Sequence, residues 1–215
     1  MTHKMKPTFE TESLFLPNFV IGVDEVGYGA WAGPVVVGAA ALNISMLPSD
    51  LLDEINDSKS LSLKKREYIY EHLISYSGKG LYFCVHQASN QEVDEMNVRV
   101  ATQTAMVRAV EGLVGQYPTL PWGGILVDGT HAPKFQLKTH CIVGGDRKCL
   151  SIAAASILAK VTRDRLMKKL SEDHPHYAWD KNVGYGTKLH QEGLRSFGPT
   201  LHHRMSYKPL QALAF

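Results

Sequence analysis

Three apolar runs in this chain close on a carboxylate bordered by glycine: VIGVDE at Asp24 and Glu25, ILVDG at Asp128 and IVGGD at Asp146. Short apolar runs bounded by glycine read as buried strands. NFVIGV (18–23), GGILVDG (123–129) and HCIVGGD (140–146) carry the acids, while PVVVGAAAL (34–42) and GLYFCVHQA (80–88) are strand-like without them. Helical patterns lie between. Ser62 is a candidate N-cap for a helix whose face holds Leu63, Tyr70, Leu73 and Ile74. Val93, Met96, Val100, Val107 and Val110 recur at three-to-four spacing and predict one long amphipathic helix from Gln91 to Leu113. SIAAASILAKVTRDRLMKKL (151–170) predicts a helix with one small, Ala-rich face, and a weaker helix covers about 187–196. Strands and helices mixed from end to end, with two strands first in succession, predict one α/β domain built on a mixed five-stranded sheet flanked by helices. Residues 1–17 read as a flexible tail ending at Pro17, 18–186 as the body, and 187–215 as a helical C-terminal extension and tail.

Composition narrows the class. The chain has 215 residues and is 44 % apolar, which suits one domain with a real core. Cys84, Cys141 and Cys149 show no CxxC spacing, so neither a disulfide framework nor a zinc site is expected, and a reducing, cytoplasmic compartment is. The start, MTHKMKPTFETES, lacks the apolar core of a secretory signal, and no apolar run reaches membrane-spanning length. The net charge of +2 is polarised. Residues 130–215 hold 14 Lys/Arg against 6 Asp/Glu, and residues 1–129 hold 9 against 15. A basic half suits either a polyanionic partner or a solvated helix face.

The acids carry the chemistry. In open α/β sheets ligands bind outside the carboxyl ends of strands, so Asp24, Glu25, Asp128 and Asp146 are candidates to converge. On a regular strand Asp24 and Glu25 would face opposite sides. Gly27 and Gly29 imply that the strand stops and the backbone turns, which frees Glu25 to bend back. Close carboxylates repel, and a divalent cation relieves this; Mg²⁺ and Mn²⁺ prefer such oxygens. Two ions can hold the attacking and leaving oxygens of a phosphoryl transfer. The competing reading is ordinary Asp-Gly turn chemistry at each strand end.

GVDEVGYGAWAGPVV, DSKSLS (57–62), VDG (127–129), GGD (144–146), SIAAASILAKVTRD (151–164), GYGT (184–187) and HHRMSY (202–207) occur in one order. Together, across about residues 19–208, they resemble bacterial ribonuclease HII. The resemblance implies a ribonuclease H-like fold with a helical C-terminal extension. It implies Mg²⁺- or Mn²⁺-dependent cleavage of RNA in RNA–DNA hybrids and incision 5′ to a single ribonucleotide in duplex DNA, leaving a 3′-hydroxyl and a 5′-phosphate. Asp24, Glu25, Asp128 and Asp146 match the family's four catalytic, metal-binding acids. Gly27, Tyr28 and Gly29 match the segment that tracks the backbone at the RNA–DNA junction, except that the family's usual central residue is arginine. A tyrosine cannot form that charged fork to phosphate. Tyr185 matches the tyrosine that stacks on the deoxyribose after the ribonucleotide, where a 2′-hydroxyl would crowd the ring. Lys59 matches a substrate-contacting lysine.

Several positions keep two readings. Ser151 opens a helix close after Asp146 and suits either phosphate binding or N-capping. Lys160 and Arg163 sit at i and i+3 and suit phosphate contact or solvent, with Asp164 a second partner for Arg163. Adjacent His202 and His203 suit a shared metal poorly and read as structural or weakly substrate-facing. The expected partner is an RNA–DNA hybrid or ribonucleotide-containing duplex, bound by a monomer. The ending KPLQALAF does not make a clear sliding-clamp motif. Two alternatives stand beside the junction-directed nuclease: a hybrid ribonuclease with relaxed junction specificity, because of Tyr28, and a non-catalytic nucleic-acid-binding protein.

Overall fold

Helix α1 (Glu10–Ser13) and strands β1 (Phe19–Val26) and β2 (Val35–Leu42) open the computed structural model, which describes residues 6–212. Helices α2 (Ser49–Glu54) and α3 (Leu63–Ser75) lead to β3 (Leu81–Ala88). Helices α4 (Asn90–Met96) and α5 (Val98–Gln116) lead to β4 (Trp122–Asp128) and β5 (Thr139–Ile142). Helix α6 (Leu150–Asp173) follows, then α7 (Trp179–Asn182), α8 (Lys188–Phe197) and α9 (Lys208–Gln211). The sheet has the order β3-β2-β1-β4-β5. β2 runs antiparallel to β1 and β3, and β4 is parallel to β1 and β5. The mixed five-stranded sheet flanked by helices is as the sequence pattern predicts.

Each face of the sheet buries one helix layer. Ile21, Val23, Ile125 and Val127 pack on α5 through Ala101, Ala105, Ala109 and Leu113. On the other face Ala40 and Leu42 meet Ala154, Ile157 and Leu158 of α6 and Ile69 and Leu73 of α3. Each fully buried Ile or Leu contributes roughly 1.5–3 kcal/mol. The small face of α6 has a specific use. A Cβ at Gly22 would overlap the Ser151–Ile152 backbone, and one at Gly38 would overlap that of Ala155. Helix and strand backbones therefore touch, which brings the first turns of α6 beside the end of β1.

Five departures from the sequence expectation bear on the site. The helix expected from Gln91 to Leu113 is two helices, broken at Asn97 with φ +67°. Asn97 Oδ1 accepts from the amides of Arg99 and Val100 and restarts the helix. The new phase leaves Val100 exposed and buries the alanine stripe instead. Second, residues 6–17 are not a flexible tail, while 1–5 lie outside the described residues. Thr8 donates its amide to Lys148 O at 3.0 Å, and buried Glu12 accepts from the Ser151 amide and hydroxyl at 2.8 and 2.7 Å. The unpaired amides and positive dipole of the α6 N-terminus hold that carboxylate. Third, β1 continues through Val26, so the turn comes after Glu25 rather than at it. Fourth, β5 ends at Ile142, and Asp146 sits in a short 3-10 turn, Gly145–Arg147. Beyond α8 the segment 198–207 is an irregular strap rather than a tail, pairing with the body through an Ala32–His203 bridge.

Candidate active site

Parallel pairing sets Val23 beside Val127, so the next residues, Asp24 within β1 and Asp128 at the end of β4, lie side by side. Asp146 reaches them through the 3-10 turn entered at Gly144, φ +64°. The Gly145 amide donates to Asp128 Oδ1 at 2.7 Å and ties that turn to the end of β4. Oxygens of Asp24, Asp128 and Asp146 all lie within 4.8 Å of one another. Glu25 is outside this set, which corrects the expectation that it bends back to share one ligand with Asp24. The strand is still regular there, so the two acids take opposite faces. Glu25 lines a cleft on the α5 side, of about 360 Å³, together with Asp128, Tyr28, Arg99, Gln103 and His131.

Burial first, and then the charges of Glu25 and Asp128, push the Asp24 carboxyl well above its ordinary pKa. The Glu25 amide, donating to Asp24 Oδ1 at 2.8 Å, and the Ser156 hydroxyl offset this only in part. Glu25 is raised by desolvation and by Asp128, and Asp146 by desolvation and by Asp128 and Asp57. Desolvation pulls the Lys59 ammonium down, but Asp24, Asp146, Asp57 and Asp128 together outweigh it, and its pKa is raised. Negative charge is thus concentrated at one strand edge with Lys59 at its rim. An all-oxygen set whose ionisation is costly fits a hard divalent cation and offers no thiolate or imidazole to a softer one.

The two Gly-Tyr-Gly turns lie against each other beside these acids. The amides of Trp31 and Ala32 donate to Gly184 O at 2.8 and 3.2 Å. Gly27 adopts φ +89°, and a Cβ there would overlap the Arg163 guanidinium. Tyr28 and Tyr185 stay open, 44 % and 37 % exposed. Their turns are held from below. Arg163 Nη1 donates to Val183 O at 2.8 Å and its Nε to Pro34 O at 2.9 Å. Arg204 Nη1 and the Tyr207 hydroxyl both donate to Tyr28 O, at 2.9 and 2.6 Å.

Of the residues singled out in the sequence, Asp24, Asp128 and Asp146 converge, with Glu25 and Lys59 adjoining. Three substrate assignments need correction. Ser151 is fully buried and bonded to Glu12, so its hydroxyl does not face a groove. Arg163 is fully buried on backbone carbonyls and makes no pair with Asp164, which Lys160 takes instead at 2.7 Å. That ion pair, 16 % and 15 % exposed, uses the charge that Lys160 would offer a phosphate. His203 is buried, as a structural reading requires. Sequence reasoning missed Arg99, Gln103 and His131 of the cleft, and Arg204 and Tyr207 under Tyr28. The i, i+4 spacing of Arg99 and Gln103 was the available signal, hidden by the assumed unbroken helix.

A family model described as Ribonuclease HII matches residues 21–210. A ribonuclease HII of Granulibacter bethesdensis is 46 % identical over 190 residues, 88 % of this chain and 84 % of that protein. One from Magnetococcus marinus is 44 % identical over 221 residues, 99 % of each chain. Among solved structures, the ribonuclease H2 of Pyrococcus horikoshii superposes with a TM-score of 0.73 at 25 % identity, covering 90 % of this chain and 95 % of that one.

Proposed function

The chain belongs to the ribonuclease HII family and is a ribonuclease H-type endonuclease acting on RNA-containing nucleic acid, and on that premise we propose that it incises 5′ to single ribonucleotides in duplex DNA as well as cutting RNA in RNA–DNA hybrids. The observation that carries the catalytic assignment is the convergence of Asp24, Asp128 and Asp146, from two strands and a turn far apart in sequence, within 4.8 Å. Divalent-metal dependence is a property of the family, and this set fits it. We assign Mg²⁺ or Mn²⁺, with two ions. Asp24, Asp128 and Asp146 would hold the cations, with Glu25 adjoining Asp128 from the cleft side. A divalent cation bound there supplies Lewis acidity and neutralises charge on the phosphodiester. Tyr185 stacks on the deoxyribose that follows the ribonucleotide, and the Gly27–Gly29 backbone tracks the junction. Lys59, already drawn by Asp24, Asp146, Asp57 and Asp128, meets the scissile strand at the rim.

The test is a duplex carrying one ribonucleotide, cut with Mg²⁺ or Mn²⁺. Asp24→Asn and Asp128→Asn abolish cleavage while far-UV circular dichroism stays native. Full activity in either variant would sink the assignment. A second reading, relaxed junction specificity, is favoured by one observation. Tyr28 stands exposed on the cleft where the family's usual residue brings a cation, and its own carbonyl is consumed by Arg204 and Tyr207. Comparable rates on the single-ribonucleotide duplex and on a long hybrid would select that reading.

A further inference from the structure

A chain of hydrogen bonds runs from the C-terminal strap to the turn that presents Tyr185, and its proton positions are fixed by groups whose roles are not in doubt. The Thr200 amide can only donate, and it donates to His203 Nδ1 at 2.8 Å. Neutral His203 therefore carries its proton on Nε2, which faces His190 Nε2 at 3.0 Å. The Trp179 indole N–H also donates to that atom, at 3.1 Å. His190 Nε2 is thus an acceptor, and its proton lies on Nδ1, which donates to Tyr185 O at 3.0 Å. Both rings are buried, and neither touches the acid cluster. The Tyr185 side chain, by contrast, is open to a ligand.

We infer that His190 and His203 are positioning residues for substrate recognition: their relay fixes the Tyr185 carbonyl and so aims the exposed phenol ring at the nucleic acid. The same strap holds the other turn. Arg204, next to His203, donates to Tyr28 O, and the Gly33 amide donates to His202 O at 2.9 Å. Asn90 Nδ2 donates to Leu201 O and His203 O, at 2.8 and 3.2 Å, and Asp94 accepts from the Met205 and Ser206 amides at 2.9 Å. One segment, 200–207, thereby sets both tyrosines in a single frame anchored to α4. A side chain that stacks on a sugar loses its purchase when its backbone shifts by a fraction of an ångström, so the relay acts on binding rather than on the chemical step.

This inference rests on the reading of Tyr185 as a substrate contact, and the experiment separates the two. Steady-state kcat and KM are measured on the single-ribonucleotide duplex for Tyr185→Ala, His190→Leu, the double variant and His190→Asn, with thermal melts alongside. His190→Leu should raise KM about tenfold, the worth of one buried hydrogen bond, with kcat nearly unchanged. His190→Asn places an amide N–H where Nδ1–H stood and should restore KM to near that of the unaltered protein. In the Tyr185→Ala background, His190→Leu should add nothing, because the two act through one contact. A KM moved by Tyr185→Ala but not by His190→Leu, or additive effects in the double variant, would overturn the relay. A KM unmoved by Tyr185→Ala would overturn the stacking role beneath it. If His190→Leu does not fold, His190→Asn against His190→Gln decides. Gln carries its amide to the Nε2 position and leaves the Tyr185 carbonyl unpaired, so equal KM values for the two would count against the proposal.

Discussion

Asp24 is 4 % exposed and shares its surroundings with Asp128 and Glu25, so the fold holds it ionised only at a cost in free energy. Burial first, and those two charges next, raise its pKa. A carboxyl raised in the folded state opposes folding at neutral pH, and the penalty fades as pH falls through the folded pKa. Removing the charge at pH 7.5 removes the penalty. Asp24→Asn should therefore melt higher than the unaltered protein in metal-free buffer, by roughly 2–4 °C for each kcal/mol of repulsion relieved. Adding Mg²⁺ should raise the melt of the unaltered protein and leave the variant nearly unmoved. A lower metal-free melt for Asp24→Asn would contradict this account of the site. Tyr28 makes a second prediction at this scale. It is exposed on the cleft that Glu25 and Asp128 line, and Tyr28→Arg adds a cation there. KM on the ribonucleotide duplex should fall, and the slope of log affinity against log salt should steepen by about 0.9, one phosphate's worth. An unchanged slope would show that the new cation reaches no phosphate. The acids and Tyr28 were legible as residue types at strand ends and a glycine turn. The burial that gives Asp24 its energetics was not, because it depends on how closely α6 approaches.

That approach is a property of elements. The Ala-rich stretch of α6 predicted a small helix face, but no local pattern says that it is built to meet the glycines of β1 and β2. Ser151, Ile152 and Ala155 bring backbone onto Gly22 and Gly38. Gly22→Ala should drive α6 outward and destabilise the fold by several kcal/mol, well beyond the 1–3 kcal/mol of ordinary overpacking, since the collision is with backbone rather than a pliable side chain. Denaturant unfolding measures it; a loss under 1 kcal/mol would mean the helix is free to slide. The N-terminus of the same helix explains why the tail expectation failed. Residues 6–17 look polar and loop-like, yet Glu12 supplies a buried carboxylate to Ser151, a pairing across 139 residues that no local pattern reveals. The long helix over 91–113 failed for a related reason. Asn97 at φ +67° breaks the phase, and alanines, which carry little apolar signal, form the buried stripe.

Across the whole molecule the strap of the basic half reaches the Gly-Tyr-Gly turns, and the histidines in and beside it shape how the fold responds to acid. Burial, then the nearby His190, push His203 down to about 3, and burial lowers His190 and His202 as well. The groups around them are Trp179, Tyr177, His174, Thr200 and Asp173, of which only Asp173 brings a negative charge, and it acts on His202. The unfolded chain takes up these protons near pH 6.5, while folded His203 refuses one until about pH 3. The unfolded state binds more protons throughout that window, so stability falls as pH drops, by up to about 1.4 kcal/mol per unit for each such histidine. The raised carboxyls Glu12, Asp24, Glu25 and Asp146 work in the opposite sense, each adding stability as pH falls through its folded pKa. The two opposing effects are separated by removing one of them: between pH 7.5 and 5.5 His203→Gln, which has no proton to refuse, should lose less stability, or gain more, than the unaltered protein. Denaturant midpoints at the two pH values give the comparison. Equal changes in the two proteins would mean that folded His203 takes up its proton as readily as the unfolded chain does, and a charged His203 could not accept the Thr200 amide that fixes its tautomer.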